Sequence, residues 1–270
     1  MSNLFDKTVC LEVSFARLGT RRKVSVDEVE ADADKSMLHV GKDILDSDEL
    51  RSIAKADTAI KKWLESKAIP CPLRDSTLML PFGVVETVEL RLGHYQNTER
   101  PGLVQAFMDT YTTRKNEAQA RLRGLYDPEN YPPDYKVQER FSFSYRYVDF
   151  SVPGKLSSIS ALAAGRAMEQ AKTEIVEATQ AVKAMMLATL QDLVAHLADR
   201  LAPSPDGKKK KLYDSAIGNL TEFLDGLIPK AEAADSAELI AVGEKCKAIL
   251  KGVDMSMLRD NAGMKAWVQQ

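Results

Sequence analysis

Between Leu156 and Lys211 the chain carries no aromatic residue, and Ala, Met and Leu dominate, a strongly helix-forming mixture. Within this stretch Ile175, Val182, Met186, Leu190, Leu193, Leu197 and Leu201 step mostly by three, four or seven, so they share one helix face. A helix over about 160–201 would be roughly 60 Å long at ~1.5 Å per residue. A compact globule of 270 residues has a diameter of only about 50 Å. Either the helix breaks, near Gly165, or it protrudes and its apolar stripe needs a partner. Ile175, Val182, Met186, Leu190, Leu193 and Leu197 are therefore the candidate interface for self-association or for a protein partner.

The N-terminal half reads differently. In "TVCLEVSFARL" Val9, Leu11, Val13 and Phe15 alternate with Cys10, Glu12 and Ser14, the pattern of a half-buried strand. Gly19-Thr20 turns the chain, and "RRKVSV" is expected to return as the second strand of an antiparallel hairpin. Asp46 and Glu49 form a capping box for a helix carrying Leu50, Ile53, Ala54, Ile60 and Trp63-Leu64. Helical spacing resumes from Phe82, and Pro101 either starts a new helix or kinks a long one. After the Pro/Tyr loop "YDPENYPPDY", the stretch "RFSFSYRYVDF" puts Phe141, Phe143, Tyr145 and Tyr147 on one side of a strand. Paired with the first strand, that row is the buried face of a small sheet.

The expected architecture is α+β and predominantly helical. A small antiparallel sheet (the N-terminal hairpin plus strand 141–150) is packed by helices, followed by the long helix and two or three shorter ones. Residues 1–156 form an α+β domain and 157–270 a helical region.

Several chemistries find no support. His39, His94 and His196 are far apart, and none stands at ligand spacing from another His or a Cys. Cys71, rigid between two prolines, has no sequence neighbour that would acidify it and reads as structural. Asp149 and Leu156 stand where a phosphate-binding loop around Gly154-Lys155 needs Gly and Ser or Thr. Glu30, Asp32 and Asp34 fit the first offsets of a calcium loop, but Lys35 replaces the obligatory Gly. No cofactor or metal is called for. The three cysteines show no paired spacing, no apolar run reaches the about 20 residues of a membrane span, and the N-terminus lacks a secretory pattern. The expected setting is cytoplasmic, or host-cytoplasmic for a phage-encoded chain. The net charge of −2 gives no global attraction to nucleic acid.

A local basic surface is a different matter. Arg21, Arg22 and Lys23, with Arg140, Arg146 and the run Lys208, Lys209, Lys210 and Lys211, could flank Tyr145 as a base-stacking platform. That is the alternative function: single-stranded nucleic-acid binding. An enzyme assembled from converging acids and histidines is a third, weaker class.

The segments "VSFARLGTRRKV", "ILDSDELRSIAKADTAIKKWL", "CPLRDSTLMLP", "ARLRGLYDPENYPPDYKVQERFSFSYRYVDFSVPG" and "LYDSAIGNLTEFLDGL…LKGVDMSMLRDN" give a second line of reading. In this order they resemble a family of uncharacterised bacterial and phage proteins, sometimes encoded beside MoxR-type AAA+ ATPases and von Willebrand A-domain proteins. The resemblance implies a phage or mobile-element setting and work in an assembly, with an AAA+ ATPase as one candidate partner. It implies no activity and no functional residues. The leading expectation is a non-enzymatic interaction or assembly protein.

Overall fold

The structure, a computed structural model, describes residues 4–30, 32–150, 155–201 and 214–251. The strands are β1 (Thr8–Phe15), β2 (Arg21–Lys23), β3 (Gly41–Asp43), β4 (Ile69–Pro70), β5 (Thr77–Pro81) and β6 (Phe143–Val148). The helices are α1 (Asp48–Lys67), α2 (Val85–His94), α3 (Arg100–Leu122), α4 (Asp134–Gln138), α5 (Lys155–Ile159), α6 (Ala161–Leu201), α7 (Asp214–Ala233) and α8 (Ala237–Leu250). The protein is α+β and mostly helical, as its sequence pattern implies.

One sheet has the order β4-β5-β1-β6. β1 and β5 run antiparallel with Cys10 opposite Met79 and Leu11 opposite Leu78. On the other edge of β1, the Ala16 N–H donates to the Ser142 carbonyl at 2.8 Å, and Arg146 reaches Glu12, which sets β6 antiparallel as well. Adjacent residues Cys10 and Leu11 are both buried, so β1 is covered on both faces there. The expected N-terminal hairpin does not form. β2 pairs instead with β3, Arg21 opposite Asp43, in a separate two-stranded ribbon. A strand has only two hydrogen-bonding edges, and β5 and β6 occupy both edges of β1.

The chain divides into two compact units that interleave in sequence, in place of a cut near residue 156: residues 1–12, 63–87 and 146–270 in one, 13–62 and 88–145 in the other. Each boundary falls inside a continuous element (β1, α1, α2 and β6), so no linker marks it in the sequence.

In the 13–62/88–145 unit, α1 starts at Ser47, not at an Asp46 capping box: the Leu50 N–H donates to Ser47 Oγ at 3.2 Å. Its inward positions include Ile53 and Asp57, both buried. Asp57 is held from α3 and from the turn before it. Tyr95 Oη donates to Asp57 Oδ1 at 2.6 Å, and Arg100 Nε donates to the same oxygen at 2.9 Å. Arg100 Nη2 also donates to the Ala16 carbonyl at 2.8 Å. Burial, and then the Asp57 hydrogen bond, push the Tyr95 phenol well above its ordinary range, so it stays a donor. Tyr95–Glu99 forms a π-helical turn in which the Arg100 N–H reaches back to the Tyr95 carbonyl. Pro101 follows it and has no N–H to offer. The wider turn absorbs the missing donor, so α2 and α3 join without a loop. The Pro/Tyr loop is tied down by phenols: Tyr131 donates to the Ile44 carbonyl and Tyr111 to the Pro132 carbonyl, both at 2.8 Å.

In the other unit, α6 is one unbroken helix of 41 residues, with no break at Gly165. Val182, Met186, Leu190 and Leu197 are buried in a core shared with Leu220, Leu224 and Leu227 of α7 and Leu239 of α8. Leu193 packs at the edge of this core, and Ile175 is half-buried beside Phe5 and Phe150. Of the candidate interface stripe, Val182, Met186, Leu190 and Leu197 thus pack within the chain, against its own C-terminal helix pair. By length and composition α6 also meets the criteria for a membrane span, but Lys183 inside it donates to the Asp235 carbonyl and its stripe is spent on α7. α7 and α8 join tightly. Asp235 adopts the left-handed conformation (φ 54°), the Ser236 N–H closes back on Ala231, and Ser236 Oγ then caps α8 through the Leu239 N–H. Gly226 of α7 lies against the end of α1, where a Cβ would stand 2.3 Å from the Ser66 carbonyl oxygen.

Two stability outcomes follow. Asp57→Ala strands the Arg100 guanidinium in the core and should cost ~3–5 kcal/mol in denaturant unfolding, against about 1–2 kcal/mol for Tyr95→Phe. Equal, small losses would show that Asp57 is not the hub. Gly226→Ala should cost roughly 1–3 kcal/mol by forcing α7 away from α1, whereas Gly218→Ala meets nothing and should be neutral or stabilising.

Candidate functional site: an arginine-rimmed cleft

The loop Arg17–Arg21, the segment Asp43–Ser47, the first turns of α1 and the last turns of α3 enclose a cleft of about 1000 Å³ in the 13–62/88–145 unit. Gly19-Thr20 turns the chain so that Arg17 and Arg21 both reach its rim. α1 contributes Leu50 and Arg51, which stand four and three residues before Ala54 and so share its face. α3 contributes Arg114, Glu117, Ala118 and Arg121 by the same periodicity. Phe141, its ring 5.5 Å from that of Phe107, closes the floor with Leu18, Ile44, Leu45 and Leu122.

The rim is ionic and self-organised. Asp46 accepts from Arg51 Nη1 at 2.7 Å on one oxygen and from Arg121 Nη1 at 3.0 Å on the other. Arg51 Nη2 donates to Asp48 at 2.6 Å. Arg114 spans Glu49 at 3.3 Å and Glu117 at 3.2 Å, while its buried Nε finds no acceptor among the described residues. Arg17 Nε lies 3.6 Å from Asp57. The hydrogen bond from Arg51, with that from Arg121, holds the Asp46 carboxyl below its ordinary range. Glu49 is held low first by the Ser47 hydroxyl and also by Arg114.

Five arginines line the cleft with Asp43, Asp46 and Glu117, and the acids Asp48, Glu49 and Asp57 pair with those arginines from just outside. The site is thus near charge balance, with Arg17, Arg51, Arg114 and Arg121 each paired to a carboxylate around an apolar floor. On its edge the Ser47 hydroxyl donates to Glu49 Oε2 at 2.6 Å. Among the described residues no group of His, Cys, Asp or Glu is arranged to hold a metal ion.

Of the residues proposed for nucleic acid, those that the structure describes stand in different settings. Arg21 is on the cleft rim. Arg22 turns its guanidinium onto the Gly19 and Arg21 carbonyls at 2.9 and 3.0 Å. Lys23 and Arg140 are exposed. Arg146 is clamped to Glu12 at 2.8 and 2.6 Å, and Arg74 approaches the same carboxylate at 3.1 Å. Tyr145 donates to Glu89 at 2.8 Å. Lys208, Lys209, Lys210 and Lys211 lie outside the described residues.

The aromatic row is covered over most of its length. Phe143 is buried between Tyr95 and Phe15, with ring centroids at 5.2 and 5.0 Å, Phe141 packs on Phe107, Tyr145 is half-buried, and Tyr147 is 42% exposed. His39, His94 and His196 are exposed. Arg17, Arg51, Arg114 and Arg121 escaped sequence reading. The spacing of Arg114, Glu117 and Arg121 on one helix face was available, but nothing local says which other helix faces it.

The Asp46 carboxyl should titrate below the ordinary aspartate range by carbon-detected NMR, and Arg51→Met should move its midpoint upward, with a smaller rise for Arg121→Met. Because its pKa is lowered on folding, the stability it contributes is present at neutral pH and is lost as pH falls through the folded midpoint. An Asp46 midpoint indifferent to both substitutions would mean that the network is not formed.

Comparison with protein-family models, with curated proteins and with solved structures returns no match.

Proposed function

We propose that this chain is a non-enzymatic interaction protein that seats a segment of a protein partner in the arginine-rimmed cleft. The observation that carries this reading is the charge balance of the rim around an apolar floor. A phosphate-binding surface needs unopposed cations, and here carboxylates already hold Arg51, Arg114 and Arg121. Protein interfaces favour an apolar, aromatic centre inside a polar rim, with arginine among the residues that contribute most. A peptide carrying an apolar side chain between mixed charges would bury its centre on Leu50, Leu122 and Phe141. The resemblance to phage proteins encoded near AAA+ ATPases supplies one candidate class of partner.

Panning a random peptide display library on the whole protein tests this. Peptides with an apolar core flanked by charges of both signs should be enriched and should bind Leu50→Arg at least tenfold more weakly. Arg121→Glu should shift the preferred charge sign. Failure to enrich any sequence above the Leu50→Arg background would remove the proposal. Salt-dependent binding of a single-stranded oligonucleotide, lost in Arg21→Ala or Arg114→Met, would replace it with the nucleic-acid reading.

A further inference from the structure

The charges of the cleft balance as a whole but not wall by wall. On the wall made by the start of α1 and the end of α3, three arginines meet four carboxylates. Arg51 bridges Asp46 and Asp48, Arg121 holds the second oxygen of Asp46, and Arg114 spans Glu49 and Glu117. This helix wall therefore carries one negative charge in excess. Its most open carboxylate is Asp48, with a side chain 81% exposed, and Glu117 is the half-open one that faces the cleft itself.

The wall made by the loop Arg17–Arg21 and by Asp43 is the reverse. Arg17 Nε stands 3.6 Å from Asp57, beyond hydrogen-bond reach, whereas Arg100 donates to that carboxylate at 2.9 Å. The Arg100 side chain is 4% exposed and that of Arg17 48%. Charges attract more strongly in the interior than beside water, so Arg100 takes the single charge of Asp57 and Arg17 is left over. Arg21 is opposite Asp43 in the β2–β3 register, yet among the described residues it makes no ion pair. Its Nε lies instead over Gly41, on the same ribbon face two residues before Asp43, where a Cβ would stand only 2.9 Å away. Glycine keeps that path clear, and the arginine side chain crosses the ribbon without settling on Asp43. Arg17 and Arg21 thus outweigh Asp43 by one positive charge. Along α1 the walls are set apart: Asp57, beside Arg17, comes eight residues after Glu49, beside Arg114, which is about 12 Å at ~1.5 Å per residue.

We infer that the cleft reads the order of charges in its partner's segment. Arg17 and Arg21 seat an acidic side chain, the floor takes the apolar one, and Asp48 and Glu117 seat a basic one. This names the ligand of the cleft more closely and rests on the reading of the cleft as a peptide seat. An acid on the loop wall meets guanidinium groups that no other carboxylate neutralises. On the helix wall the same acid would have to compete with four carboxylates already in place, and like charges brought together in an interface are what reject a wrong partner. A base finds the converse arrangement.

The test measures dissociation constants for the peptide most strongly enriched by panning on the whole protein, and for versions of it with the acid or the base replaced. Exchanging the acid for Gln should weaken binding to the wild-type protein at least about threefold, and clearly less in Arg21→Met and in Arg17→Met. Arg21→Glu should bind the version carrying Lys in place of the acid more tightly than the parent peptide, a reversal that a merely structural arginine cannot produce. Exchanging the base for Gln should likewise cost less in Glu117→Gln than in wild type. Arg21 is exposed and stands apart from the Asp57 cluster, so its variants keep the fold and carry the test alone if Arg17→Met is destabilised. A peptide that Leu50→Arg binds at least tenfold more weakly, but whose acid couples to Arg51 or Arg121 and not to Arg21, would overturn this inference and leave the peptide reading standing. Enrichment of no peptide at all would remove both.

Discussion

A carboxylate placed among apolar side chains must be neutralised where it stands, and Asp57 is neutralised by groups from widely separated stretches of chain. Tyr95, Arg100 and Arg17 all direct hydrogen-bonding or positive groups at it. Arg100 uses its remaining reach on the Ala16 carbonyl, at the point where β1 ends. The position of the 16–21 loop, the start of α3 and the π-helical turn before it are thereby tied to one side chain on α1. Of these pieces the loop and α1 line the cleft, together with the far end of α3. A buried ion pair of this kind adds little net stability over an apolar replacement, but it penalises every arrangement that leaves either partner alone.

The parts of this architecture that were legible in the sequence are those set by local periodicity. The alternation of β1 and β6, the stripe of α6 and the positions of α7 and α8 all depend on spacings of two to four residues. What was not legible is pairing. "RRKVSV" looks like the return strand of a hairpin because it is next in the chain, yet β1 had no edge left for it. Asp46 looks like a helix cap because Glu49 follows three residues later. Ser47 takes that role, and Asp46 is drawn to Arg51 and to Arg121, which is 75 residues away. Asp57 sits four residues after Ile53 and three before Ile60, in the apolar register of its helix, and no local rule marks it as an anchor.

The same distinction governs the candidate sites. An apolar stripe on a long helix states that something must cover it, without stating what. In this chain Leu220, Leu224 and Leu227 pack on Val182, Met186, Leu190 and Leu197 of that stripe. The cleft is the converse case. Its arginines are spread from residue 17 to residue 121, each unremarkable on an amphipathic surface, and they become a site only when α1, α3 and the loop are brought side by side. A guanidinium already held by a carboxylate has less attraction left for an anion, and that balance is the ground on which the proposed reading prefers a protein-like ligand to a phosphate-bearing one.

The sheet has a consequence for how this protein meets other chains. At one end of the order stands β4, two residues long, one of them a proline with no N–H to donate. An incoming strand finds almost no ladder there. At the other end stands β6, where Ser142 spends its carbonyl on β1, so that Phe143 turns its carbonyl outward, onto the Gln96 side chain at 3.3 Å. Enlargement of the sheet by a foreign strand is thus one-sided, and even on the β6 side it must first displace an amide already in place.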